Sequence, residues 1–109
     1  MGTFELFRGT NYQYYFNFTA SNGRIIIASE GYTTEQNCLN GIASVRSHSP
    51  YDGYYRRIDE FRNYRFNLVA SNYQIIARSS EGYTERSNRE NAIELLKREA
   101  PTAKINNRS

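Results

Sequence analysis

At 109 residues the chain is long enough for one modest hydrophobic core and too short for two. An apolar share of 39% with 23% charged residues points to a folded domain rather than a disordered tail, and the longest apolar run, residues 25–28, excludes a membrane-spanning helix. The net charge of +3 is mild and arises wholly in residues 51–109, where eleven basic groups meet eight acidic ones, against three of each in residues 1–50.

The opening residues show no basic stretch followed by an apolar one, so no secretory leader is expected. A single cysteine, Cys38, leaves no internal disulfide and fits a reducing, cytoplasmic setting, in which the sequons at Asn17 and Asn107 carry no sugar. Residues 4–7 read as a first strand. In residues 14–19, Tyr14, Phe16 and Phe18 alternate with Tyr15, Asn17 and Thr19, the period of a half-buried strand. Asn22-Gly23 supplies the positive-φ pair of a tight hairpin, and residues 24–29 return as the next strand. Ser29-Glu30-Gly31-Tyr32-Thr33 follows, and then a helix over 34–46 with Cys38, Ile42 and Val45 on its apolar face.

The same order then repeats. Residues 64–72 match 14–22 at an offset of 50, while Ser80-Glu81-Gly82-Tyr83-Thr84 matches residues 29–33 at an offset of 51. The extra residue is expected in the strand over 74–80, absorbed by a β-bulge. Residues 54–58 form the first strand of the second unit, and a second helix covers 85–98, with Ala92, Ile93, Leu95 and Leu96 on its apolar face. Tyr73 stands where the first hairpin has Gly23, and tyrosine is poor at positive φ, so a different, looser turn is expected there. The repeated pentapeptide reads as a duplicated turn. Gly31 and Gly82 relieve the bend, and Tyr32 and Tyr83 pack beneath it. Thr33 or Thr34, and Thr84, cap the helices, with Thr33-x-x-Gln36 and Ser87-x-x-Glu90 as competing capping boxes. Glu30 and Glu81 face the helix dipoles. Gly41, at a mid-helix position, implies a close approach by a neighbour. The expected fold is α+β: one domain spanning 1–109, made of repeat one (1–53) and repeat two (54–109), with two helices on one face of a single antiparallel sheet.

Residues 15–23, with Tyr15-Phe16-Asn17-Phe18-x-Ala20-Ser21-Asn22-Gly23, together with Ser29-Glu30-Gly31-Tyr32 and Asn40-Gly41-Ile42-x-Ser44-Val45, resemble the YegP-like family of uncharacterised bacterial and archaeal proteins. The resemblance covers essentially the whole chain. It implies tandem β-β-β-α-β units in which the strand after each helix, 54–58 and 103–107, is exchanged into the other unit; single-repeat members of such a family would build the same object as homodimers. It implies no activity. Ala92 and Tyr73 depart from the glycines of the pattern, so the second repeat is expected to pack or bind differently.

No motif fixes a chemistry. Cys38 lies on an apolar helix face and His48 past that helix's end, roughly 15 Å along the axis, which is no nucleophile–base pair. With one Cys and one His, zinc lacks ligands. Glu30 and Glu81 form a symmetric pair that duplication explains without acid–base work, an enzyme using the two as acid and base being the remote alternative. No phosphate loop or dinucleotide fingerprint is present, so no cofactor is expected, and no enzyme. The expectation is a monomeric binding module for an unknown protein or small ligand. Single-stranded nucleic acid is the alternative, held on the open sheet face by Tyr15, Asn17, Arg65 and Asn67, with Arg24 and Arg78 in support. A one-residue register error would turn these side chains inward.

Overall fold

The computed structural model describes residues 2–109. In chain order the elements are β1 (Thr3–Arg8), β2 (Tyr14–Thr19), β3 (Ile25–Ala28), α1 (Glu35–His48), β4 (Tyr55–Ile58), β5 (Arg65–Val69), β6 (Ile75–Ser79), α2 (Arg86–Glu99) and β7 (Lys104–Asn107). All seven strands join one sheet in the order β4-β5-β6-β3-β2-β1-β7. The alternation in β2 and β5 is realised as expected: Phe16, Phe18, Phe66 and Leu68 are fully buried, while Tyr15, Asn17, Thr19, Arg65 and Asn67 stay half-exposed; only Val69, beyond the bulge, is buried as well. Phe4 and Leu6 of β1, Ile42 and Val45 of α1, and Ile93 and Leu96 of α2 close the same core, so both helices cover one sheet face.

The sheet is mixed, not wholly antiparallel. β7 runs parallel to β1, with Thr3 opposite Lys104 and Glu5 opposite Asn106. β1 holds the slot beside β2 with Phe4 and Leu6 in the core, so the strand arriving after α2 adds outside it, in the same direction. Elsewhere every neighbouring pair is antiparallel. The two units meet at β3 and β6, where Ala28 and Arg78, equivalent positions at the offset of 50, pair with each other.

The second hairpin is not looser. Gly23 has φ 83° and Tyr73 has φ 69°. In each turn the same bonds close the loop: Gly23 and Tyr73 both donate to the carbonyls of Ala20 and Ala70 at 2.9 Å. Asn22 and Asn72 accept through Oδ1 from the N–H two residues on, at 2.9 and 3.1 Å. That shared scaffold holds Tyr73 left-handed.

The extra residue is not in a strand either. A bulge does occur in β6, between Leu68 and Val69 opposite it, but its counterpart occurs between Phe18 and Thr19, so neither accounts for the insertion. Ser29 and Ser79 each accept through Oγ from the N–H of Phe16 and Phe66, which keeps the offset at 50 to the end of β6. The change to 51 therefore falls after Ser79, in the loop, where Ser80 ties back to the Ile26 carbonyl at 3.0 Å.

At the helix starts, Thr34 caps α1 by accepting from Asn37 N–H at 3.1 Å, not Thr33. Glu85 precedes α2 with no side-chain cap, so neither Thr84 nor the Ser87 box serves there. Gly31 and Gly82 do not have positive φ; they make room, since a Cβ at either would collide with the side chain of Gln13 or Asn63. The neighbour that approaches Gly41 is Tyr32, whose hydroxyl lies where a Cβ would be.

Candidate functional site

On the open face, opposite the helices, the cross-strand register lines up one row across the whole sheet: Arg56, Asn67, Arg78, Ala28, Asn17, Glu5 and Asn106. Three residues singled out from the sequence, Asn17, Asn67 and Arg78, therefore share this row. Asn17 Oδ1 is buried within it without a partner. Tyr15 and Arg65 lie on the same face but in two other rows, on opposite sides of this one, because β2 and β5 run in opposite directions; their strands alone are three spacings apart, about 14 Å. Their groups are already engaged. Tyr15 stacks on Phe7 at 5.8 Å between ring centroids and its hydroxyl accepts from Asn11 at 2.8 Å; Arg65 donates to Glu60 at 2.9 Å. Arg78 is held by Glu30 at 2.8 Å, and Arg24, away at the first hairpin, lies 4.0 Å from Glu81. Both glutamates thus face arginines of the other repeat rather than the helix dipoles or each other.

The catalytic candidates are separated by their surroundings. Cys38 is fully buried, and burial pushes its thiol up to about 11. His48 directs Nδ1 at the Ser44 carbonyl, 2.8 Å away, and its ring meets Tyr54 edge-on. At the position equivalent to Cys38, α2 carries Arg89, which is also buried. Arg89 lies against the Tyr64 ring and bonds Asp59 and Glu90. Nothing in the residue pattern announces that substitution, because an arginine at a core position reads as a surface residue until its carboxylates are seen. Among the described residues there is no cluster of three or more metal-ligating groups, and no helix long and apolar enough to cross a membrane.

Concave surfaces occur on both faces: on the open face a depression of about 570 Å³ is lined by Glu5, Phe7, Asn17, Thr19, Ile25, Asn106 and Arg108, and two smaller clefts lie between each helix and the hairpin of the other repeat. The first cleft, about 380 Å³, is walled by Asn37, Asn40 and Ser44 of α1 with Tyr32, and by Asn72, Gln74 and Ile76 of the second hairpin. The second, about 280 Å³, is walled by Asn88, Asn91 and Leu95 of α2 with Tyr83, and by Asn22, Arg24 and Ile26 of the first hairpin. Position for position these are one cleft built twice. Its second copy is fastened by Ser21, which donates from N and Oγ to the two carboxylate oxygens of Glu99 at 2.9 and 2.7 Å. Burial raises both tyrosine hydroxyls above their ordinary range, so each stays protonated, a donor and acceptor at once. The sequence signal for the clefts was available as the spacing Asn37-x-x-Asn40, repeated as Asn88-x-x-Asn91, two polar positions one turn apart beside an apolar face.

Known proteins share this fold. A family model described as a domain of unknown function, DUF1508, matches twice, over residues 10–55 and 59–106. A UPF0339 protein from the 5′ region of the ptx operon of Stutzerimonas stutzeri is 38% identical over 105 residues, 95% of this chain and 94% of that one. The UPF0339 protein YegP of Escherichia coli K12 is 40% identical over 97 residues, 88% of this chain and 87% of that one. Among solution NMR structures, a UPF0339 protein of Shewanella oneidensis superposes with a TM-score of 0.90 at 34% identity, covering 97% of this chain and 90% of that one. YegP of E. coli gives 0.89 at 36%, covering 98% and 92%. None of these descriptions carries an enzymatic name. With a family model matched in two tandem copies and relatives of this identity along nearly its full length, the chain belongs to the UPF0339, YegP-like family.

Proposed function

We propose that this protein is a non-catalytic binding module whose ligand sites are the two clefts. One observation carries the reading. Aligned residue for residue, α1 and α2 keep only three identical positions, Asn37/Asn88, Asn40/Asn91 and Ile42/Ile93. The isoleucines are core. The asparagines are exposed and poor helix formers, and although Asn40 accepts from Gln36 at 3.1 Å, Asn91 in the second copy has no counterpart of that bond among the described residues. Residues retained against helix propensity on a concave surface are what a ligand site leaves behind. The buried, unreactive Cys38 and the arginine-paired Glu30 and Glu81 favour binding over catalysis, and the lone thiol favours a reducing compartment. We read β4 and β7 as strands each handed to the other repeat.

The test needs no ligand. Asn91 has no side-chain hydrogen bond among the described residues, so Asn91→Ala is expected to stabilise the protein by about 0.5 kcal/mol through helix propensity, read as a higher urea midpoint. A loss of stability instead gives Asn91 a structural job and removes the observation on which the proposal stands.

A second reading, single-stranded nucleic acid on the open face, is favoured by the adjacency of Arg56, Asn67 and Arg78 in one row. Fluorescence anisotropy with a labelled mixed-sequence oligonucleotide is then expected to give binding that weakens steeply with salt and is lost in Arg56→Ala. Binding that ignores salt, or none at low salt, ends this reading.

A further inference from the structure

Within a chain that is 23% charged, no charged side chain lines the first cleft. Its polar groups are the carboxamides of Asn37, Asn40, Asn72 and Gln74, with the hydroxyls of Ser44 and Tyr32, and Ile75 and Ile76 complete the wall. A carboxamide presents a donor and an acceptor side by side, and a hydroxyl is both at one atom; the Oδ1 atoms of Asn40 and Asn72 already accept from Gln36 and from the Gln74 N–H, so these two offer chiefly their N–H donors. Such a lining suits a ligand whose own groups donate and accept at closely spaced points and which carries no net charge, because a charged ligand would be left without a counter-ion in the cleft. Vicinal hydroxyls on a ring meet that description, and the aliphatic wall suits the C–H face of the same ring. The volume, about 380 Å³, lies at the small end of small-molecule sites.

Resting on the proposal that the clefts are binding sites, we infer that the first cleft takes an uncharged saccharide, and that the second has diverged toward a saccharide carrying an acidic group. In the second cleft Arg24 replaces Gln74 and Leu95 replaces Ser44. Glu81 is the one carboxylate beside that guanidinium, at 4.0 Å with both side chains mostly exposed, too loose to keep an anion away.

The experiment is a proton–nitrogen NMR titration of the intact protein, following the side-chain amides of Asn37, Asn40, Asn72 and Gln74 and of Asn88 and Asn91. Four probes are used separately: cellobiose, maltose, glucuronate and N-acetylglycinamide. Cellobiose or maltose is expected to shift the first-cleft amides with an affinity unchanged between low salt and about 0.5 M salt. Asn40→Ala is expected to weaken this about tenfold, which corresponds to roughly 1.4 kcal/mol. Glucuronate is expected to shift the second-cleft amides, in a salt-sensitive way that Arg24→Gln abolishes. If N-acetylglycinamide moves the first-cleft amides and neither disaccharide does, the saccharide assignment is wrong while the clefts remain binding sites. If no probe moves them, the saccharide assignment is likewise overturned, and the wider binding proposal is judged on Asn91→Ala alone.

Discussion

Tyr73 holds φ at 69° with a Cβ in place, where its counterpart Gly23 does so freely. Its ring is mostly exposed, with the Arg56 guanidinium 5.9 Å from its centre, so nothing in the core depends on it. A left-handed backbone costs a residue with a Cβ about 1–2 kcal/mol, part of which glycine gives back through its freer unfolded chain. Tyr73→Gly is therefore expected to raise stability by about 0.5–1 kcal/mol in urea denaturation; a destabilised variant would mean that Tyr73 makes a contact that the turn needs. Asp52 offers a second test at this scale. Hydrogen bonds from Arg57 and Lys97 hold its carboxyl at about 2, below the ordinary 3.8. A carboxyl depressed on folding adds stability above its unfolded value, and that contribution disappears as pH falls through the folded one. The side chain is 59% exposed, so solvent limits the effect to about 1 kcal/mol or less. Wild type and Asp52→Asn are expected to differ at pH 6 and to converge between about pH 4 and pH 2, read from thermal midpoints; a difference that does not change with pH would exclude the ion pairs.

At the scale of elements, strands and helices were legible because each rests on a local pattern. Period two in residues 14–19 and 65–69, Asn-Gly at one turn, and an apolar face on each helix locate them to within two residues at their ends. Three features were not legible, each for a physical reason. The parallel pairing of β7 follows from competition for the slot beside β2, which strand propensity does not encode. The position of the inserted residue is decided by the Ser29 and Ser79 hydroxyls, whereas sequence identity alone aligns Ser29 with Ser80. The first cleft joins residues of α1 to a hairpin well over twenty positions further on, so no short window of sequence contains it. The open-face residues were placed on their correct side by alternation, yet Tyr15 and Arg65 sit in separate places with partners of their own, which period two has no means of revealing.

For the whole molecule, the interlocking of the repeats is the governing fact. Each helix finds the second wall of its cleft in the other repeat, Glu99 of α2 grips Ser21 of the first hairpin, and β7 shields β1. Cutting the chain after residue 51 is accordingly expected to leave two pieces with little fixed structure alone, since each loses half the core and one wall of each cleft. Mixed at equal concentration they are expected to recover the native circular dichroism; a fragment that folds by itself would show the repeats to be independent units. Joining the two copies in one chain also has a genetic consequence. In a pair of identical one-repeat chains, any substitution in one cleft would appear at once in the other. Here Gln74 shares a cleft with Asn40 while Arg24 shares one with Asn91, so, on the proposed binding role, one gene can explore a new specificity in one cleft while the other preserves the old.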